Sequence, residues 1–313
     1  MSRCEGIFFL QAPFTANTEQ LGCYYFNILE ATEQAKMYGA RIVPPRMPLC
    51  PRDNTRVEID STKPWDSSIL KIGSVDSSEV LDYSQIPTMS LNEFYSKSNG
   101  EVRMDMFTLD ISGMIFISEP TSKYWIMNMP SRWDTDESDD TIFYNILYPS
   151  LPFNPNILDA RIPAWYIEES KKPFLGVHWR RGDRGNIAMG ELGQLLWSST
   201  NPAHVADYIN SYLLKNPELE WVYVSTNSGS NNDRILLRKL VKKPLYYFNM
   251  PEVDPLEQWK YDITDLLLCA KAKHLVLSPG NLNKSSAFGR LMYAECLQQN
   301  PSDALVSFIT PMI

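Results

Sequence analysis

Histidine is scarce in this chain of 313 residues: His178, His204 and His274 are all it has. None has a second histidine at helical or loop ligand spacing, which argues against a histidine-built metal site, and a Ser-His-Asp triad would have to draw on these three. The five cysteines (Cys4, Cys23, Cys50, Cys269 and Cys296) are scattered, odd in number and never spaced C-x-x-C. Neither a zinc site nor a dense disulfide framework is therefore expected, and they read as buried free thiols. No stretch reaches the roughly 18 apolar residues that cross a bilayer, so no membrane span is expected. Basic residues are outnumbered, 29 Lys and Arg against 37 Asp and Glu, for a net charge of −8. A nucleic-acid partner, which demands a basic stripe to displace counterions, is excluded on that ground. Any anionic ligand must be held by a local cluster of cations or backbone N–H groups. The apolar run at Ile7-Phe8-Phe9-Leu10 is too short for the core of a signal peptide, and a cytoplasmic setting is the expectation, with the secretory pathway as the alternative for a chain whose leader has been removed.

What is present reads as an alternation of strands and helices. Ile7 to Leu10 is a continuous apolar run, as a strand buried on both faces would be. Asn17 stands at a helix N-cap position, with Gln20 three residues on in capping-box fashion. Leu21, Tyr24, Tyr25, Ile28, Leu29 and Ala35 then recur at helical spacing. Gly39 can end that helix, and Arg41-Ile42-Val43 forms the next strand before Pro44-Pro45. The middle, about 46 to 165, is rich in Pro, Asp, Ser and aromatics, and its acidic run Asp134 to Asp140 reads as a solvated loop. Regularity returns after Lys171-Lys172-Pro173. Strands are predicted at Phe174–Trp179, Trp221–Thr226, Leu245–Phe248 and His274–Leu277. Helices are predicted at Val205–Leu214, Asp233–Leu240, Ile263–Ala272 and Ser286–Gln298. This pattern predicts an α/β chain of two Rossmann-like lobes with a cleft between them, 1–165 and 166–313.

Two constellations carry chemistry. In "FLGVHWRRGDRGN" an apolar strand ends directly in Arg180, Arg181 and Arg184, with Asp183 among them. The end of a parallel strand opens onto the ligand crevice, and Arg grips phosphate through a planar fork of donors. Asp183 could orient one of the guanidinium groups. The competing readings are a solvated surface turn, or adhesion through Arg181-Gly182-Asp183, which would need an exposed loop tip. In "DLLLCAKAKHLVLSPGNLNKSSAFGRLMYAEC" a helix carrying Asp265 in its first turn leads to a strand and a loop rich in Gly, Pro and Asn. Ser285 and Ser286 follow where the next helix begins. Free N–H groups and hydroxyls there can cradle a phosphate. Plain N-capping by Ser285 or Ser286 explains the same residues.

The order H-x-R-R-x-D at the end of a strand, a V-x-V-x-T strand, D-x-x-x-C-A-x-A, then a Ser-rich turn before Phe resembles the GDP-fucose protein O-fucosyltransferases. The resemblance covers about 173 to 298 and is closest to the branch that modifies thrombospondin repeats. It implies a GT-B fold and an inverting, metal-independent transfer of fucose from GDP-fucose to a protein or glycan hydroxyl. It also implies roles for residues. Arg180 would stabilise the departing diphosphate, with Arg181 and Asp183 also on the donor side. His178 would lie against the nucleotide, and Asp265 would read the guanine. Ser285, Ser286 and Phe288 would line the phosphate and base pocket, and Asn17 would reach in from the other lobe. Neither cofactor nor metal is expected. The chain departs from the family's pattern in its first loop, Gln11 to Asn17, which has no carboxylate to act as base. That departure keeps two other readings open: another donor such as a rhamnosyl nucleotide, or a glycan-binding protein without transfer. The sequon Asn283-Lys284-Ser285 falls within the proposed donor loop, where a glycan would obstruct it.

Overall fold

The computed structural model describes residues 4–11, 21–48, 74–98, 102–106, 108–109, 115–116, 123–129, 152–159, 161–182, 190–227, 230–249, 251, 253–278, 287–299 and 305–309. The chain divides into two compact units. One comprises Met1–Glu19, Cys23–Ile157 and Asp254–Trp259; the other comprises Gln20–Gly22, Leu158–Val253 and Lys260–Ile313.

The first unit starts as its sequence predicts. Strand β1 (Gly6–Gln11) is followed by helix α1 (Leu21–Met37) and strand β2 (Arg41–Val43). Adjacent residues Ile7 and Phe8 are both buried, so β1 is covered on both faces. Helix α1 buries Tyr25, Ile28, Leu29, Ala31 and Ala35. It stops at Gly39, whose φ of 60° is a left-handed conformation that glycine adopts without steric cost. The Gly39 and Ala40 N–H groups donate to the carbonyls of Lys36 and Ala35, the paired bonds of a Schellman end. The predicted cap at Asn17 lies outside the described residues, as does the acidic run at 134–140.

Beyond Pro44-Pro45, strand β3 (Arg46–Pro48) pairs antiparallel with β4 (Ser74–Asp76), and a 3-10 turn occupies Ser77–Glu79. Helix α2 (Leu91–Ser98) precedes β5 (Val102–Met106). The short strands β6 (Thr108–Leu109) and β7 (Ile115–Phe116) pair antiparallel. Strand β8 (Tyr124–Met129) then enters the main sheet beside β1. The sheet is fully parallel, in the order β2-β1-β8-β5. Phe8, Val43, Met89, Phe94 and Tyr124 form a core around edge-on rings, with Phe94 and Tyr124 centred 5.7 Å apart at 87°.

A short helix, α3 (Asn156–Asp159), precedes the second unit's α4 (Ala164–Glu169). Strand β9 (Phe174–Trp179) follows, buried at all six positions. Next come α5 (Gly190–Ser199), α6 (Pro202–Lys215), β10 (Trp221–Thr226), α7 (Asn231–Leu240) and β11 (Leu245–Tyr247). Helix α8 (Pro255–Ala270), β12 (His274–Leu277), α9 (Ala287–Gln299) and β13 (Leu305–Phe308) complete the unit. Helix α8 begins eight residues before the predicted Ile263. Asp254 accepts from the Glu257 N–H at 3.0 Å and so supplies the start that periodicity alone did not reveal. Asp265 consequently sits in the helix interior and not in a first turn. Helix α5 and strand β13 were not predicted.

The five strands are all parallel, in the order β11-β10-β9-β12-β13. From β9 the chain winds outward through β10 and β11, then returns to the other side of β9 for β12 and β13. The reversal makes the carboxyl ends of β9 and β12 a topological switch point, where open α/β sheets bind ligands. Both units are thus Rossmann-like, and the α/β class predicted is the class observed. Cys4, Cys269 and Cys296 are buried free thiols, as expected. Among the described residues no helix is long and apolar enough to cross a membrane.

Helix α8 lies so close to β9 that a Cβ on Gly176 would stand 2.7 Å from the Cys269 carbonyl oxygen and 2.9 Å from the Ala272 Cβ. Because the first of these is backbone, relief requires the helix to shift. Gly176→Ala is expected to lower unfolding stability by about 2 kcal/mol, read from the urea midpoint at unchanged m-value.

Candidate functional site

At the switch point the residues just past three strands bind each other's backbones. Ser278, the first residue after β12, donates its N–H to the His178 carbonyl at 2.9 Å and accepts the Arg180 N–H on its hydroxyl at 3.0 Å. From the other side, the last residue of β10, Thr226, donates its hydroxyl to the Trp179 carbonyl at 2.6 Å. Asn227 Oδ1 accepts two successive N–H groups, those of Arg181 at 2.8 Å and Gly182 at 3.0 Å. A Cβ on Gly182 would come within 2.4 Å of the Asn227 carbonyl oxygen, so only glycine fits this approach. The "WRRG" turn is therefore held at every peptide by its neighbouring strands.

This frame separates the two arginines. Arg181 is buried, its Nε donating to Asp233 and its Nη1 to the Trp197 carbonyl at 3.0 Å. Its guanidinium lies 3.6 Å from the centre of the Trp197 ring, within cation–π range. Arg181 was predicted on the donor side; in the structure its guanidinium ties β9 to α5 and α7. Asp233 orients that guanidinium, because the first turn of α7 faces the end of β9. Arg180 is half-buried at the switch point itself.

His178, the fifth residue of β9, is buried, and its ring lies 5.7 Å from that of Phe288 at an interplanar angle of 33°. Phe288 is half-buried in the first turn of α9. The structure thus brings His178, Arg180 and Phe288 to one end of one sheet. Asn17, Asp183, Ser285 and Ser286 lie outside the described residues.

Asp265 stands in the interior of α8. It is 7% exposed and lies between α8 and β10. Its Oδ1 accepts from the Tyr223 hydroxyl and its Oδ2 from the Ser225 hydroxyl, both at 2.6 Å. Tyr223 and Ser225 share one face of β10, two residues apart, which is why one helical carboxyl reaches both. Burial raises the Asp265 carboxyl from 3.8 to about 7, opposed in part by the Ser225 and Tyr223 hydroxyls. Burial likewise raises Glu295 on α9 from 4.5 to about 7.

Among the described residues no group of three His, Cys, Asp or Glu side chains stands together to hold a metal ion. What the site offers is a half-buried arginine just past a strand end, its backbone held by a frame of neighbours, at the same end of the sheet as the His178–Phe288 ring pair. Such a constellation suits an anion carrying a planar group.

No protein-family model matches the sequence, and no curated protein matches it. Among solved structures, the chain is similar to POFUT1 in complex with GDP, with a TM-score of 0.52 and 12% identity over 99% of each chain. It is also similar to NodZ alpha-1,6-fucosyltransferase soaked with GDP-fucose, with a TM-score of 0.48 and 13% identity over 93% of this chain and 92% of that one. The fucosyltransferase NodZ from Bradyrhizobium aligns with a TM-score of 0.49 and 14% identity, over 92% of each chain. The chain has a fucosyltransferase fold. Its two-unit α/β architecture is the GT-B type expected from the sequence.

Sequence reasoning missed the residues that build the frame: Asn227, Ser278, Thr226, Asp233 and Trp197. Asn227 and Ser278 each follow a predicted strand directly, and that position was the available signal.

Two measurements follow from this geometry. Removing the Arg181 side chain leaves Asp233 without its partner and Trp197 without its cation. Arg181→Ala is expected to cost about 3 kcal/mol of unfolding stability in chemical denaturation. The second concerns pH. Asp265 binds its proton more tightly when folded than when unfolded. The stability this contributes is fully present below about pH 4 and is lost as pH rises from about 4 to about 7. Glu295 acts in the same direction. Thermal midpoints recorded across this window are expected to fall less steeply in Asp265→Asn than in the wild type.

Proposed function

We propose that this chain is a glycosyltransferase that moves fucose from GDP-fucose to a hydroxyl of a protein or glycan, with inversion and without a metal. The observation that carries the reading is Arg180, held half-buried at the switch point of a Rossmann-like sheet within a fucosyltransferase fold. In such a transfer the acceptor oxygen bonds to the anomeric carbon and the bond from that carbon to the diphosphate breaks. GDP departs with the electron pair, and the acceptor hydroxyl loses its proton. Negative charge grows on the diphosphate as this occurs, and a guanidinium already in place stabilises it without reorganisation. The frame of Ser278, Thr226 and Asn227 supplies that preorganisation by fixing the Arg180 backbone. His178 and Phe288 offer ring faces for the nucleotide. Asn17, Asp183, Ser285 and Ser286 complete the donor side in this reading.

The test is calorimetry with GDP in the absence of divalent metal. Micromolar binding is expected for the wild type and a large loss for Arg180→Ala, together with a fall of about a hundredfold or more in turnover of GDP-fucose. Binding and turnover that are unchanged in the variant would overturn the reading.

A further inference from the structure

The first unit holds a cavity of about 320 Å³ on its own residues, at the end of β2 and beneath the turn that leads into α2. That volume is at the lower end of the roughly 300–1,000 Å³ of ligand pockets. Its lining is of two kinds. Phe8 and Tyr83 contribute aromatic surface, whereas Ser78, Thr88 and Ser90 contribute hydroxyl-bearing side chains and Asp76 a carboxylate. The Tyr83 hydroxyl is engaged with Ser77 Oγ at 2.8 Å.

Asp76 is the N-cap of the 3-10 turn and uses one oxygen for it. Oδ1 accepts both the Ser78 N–H at 2.9 Å and the Ser78 hydroxyl at 2.7 Å. Among the described residues nothing donates to Oδ2 and no cation pairs with the carboxylate. Among the described residues that line the cavity there is no Lys, Arg or His. Against these residues an anionic ligand would meet the Asp76 carboxylate, which disfavours phosphates and nucleotides. A wholly apolar ligand would strip water from the hydroxyls and from Asp76 without replacing its hydrogen bonds. The lining matches a neutral ligand with apolar C–H faces and a rim of hydroxyl donors.

We infer that this cavity binds a neutral carbohydrate, its hydroxyls donating to Asp76 and its C–H face against Phe8 and Tyr83. Every described residue that lines the cavity belongs to the first unit, so the inference stands apart from the GDP site proposed for the second unit. In chemical class the bound molecule is a sugar bearing free hydroxyls and no phosphate.

The test is saturation-transfer NMR on the full chain with glucose, galactose, mannose, fucose and N-acetylglucosamine, each supplied free. At least one is expected to receive saturation. Asp76→Asn keeps a residue able to cap the turn but removes the charge, and is expected to weaken binding about tenfold, the scale of one hydrogen bond to a charged group. Thr88→Trp, at an exposed position on the rim, is expected to abolish it. Calorimetry with GDP on the same two variants is expected to match the wild type, which separates failure here from failure of the transferase reading. No transfer to any of the sugars overturns the inference, and so does transfer that both substitutions leave unchanged. Loss in Thr88→Trp with Asp76→Asn unaffected also overturns it, since the sugar would then not be on the carboxylate.

Discussion

The second unit depends on one constraint, the position of β9 at the centre of a fully parallel sheet. A strand in that place is covered on both faces and paired on both edges, so Phe174 to Trp179 are all buried, apolar but for His178, and Gly176 must admit the helix above it. The same placement decides where chemistry can occur. Because β10 and β12 flank β9 on opposite sides, the residues leaving all three strands emerge together. Parallel ladders end with unpaired peptide groups, and here Ser278, Thr226 and Asn227 satisfy those of the "WRRG" turn. A turn fixed in this way can present a cation without first ordering it.

The two arginines of this turn are used differently. Arg180 and Arg181 are adjacent in sequence but have opposite surroundings. Arg181 is withdrawn from solvent, and the cost of burying its charge is offset by Asp233, the Trp197 carbonyl and the Trp197 ring. Its task is to position the turn. Arg180 keeps partial exposure at the switch point. The Arg-Gly-Asp tripeptide owes its glycine to the close approach of Asn227 and its first arginine to a buried ion pair, neither of which is an adhesive feature.

Buried carboxyl groups give the fold a second electrostatic character. Asp265 and Glu295 are both raised by burial towards neutrality, Asp265 within a hydroxyl cluster with Tyr223 and Ser225. A carboxyl group held this way packs α8 against β10 most favourably while it is protonated.

The sequence by itself determined the strands and helices whose apolar periodicity is strong. It marked β1, α1 and β2, then β9, α6, β10, α7, β11 and β12, with boundaries mostly within a few residues, because burial on one or both faces imposes a pattern that local composition records. It also marked the strand end at Arg180, since charge directly after an apolar strand is visible in one dimension. It did not reveal β5, β8 or β13. The start of α8 was also missed: a single cap at Asp254 sets it, not a repeating pattern. Which arginine is spent on structure was decided only by the tertiary fold. Asp233, 52 residues on, reaches Arg181 because the crossover carries α7 to the end of β9. Asp265 follows the same rule, as the helix that carries it meets β10 only once the sheet is assembled. Contacts of this kind leave no periodic trace, because their spacing in the chain is set by the lengths of the elements between them.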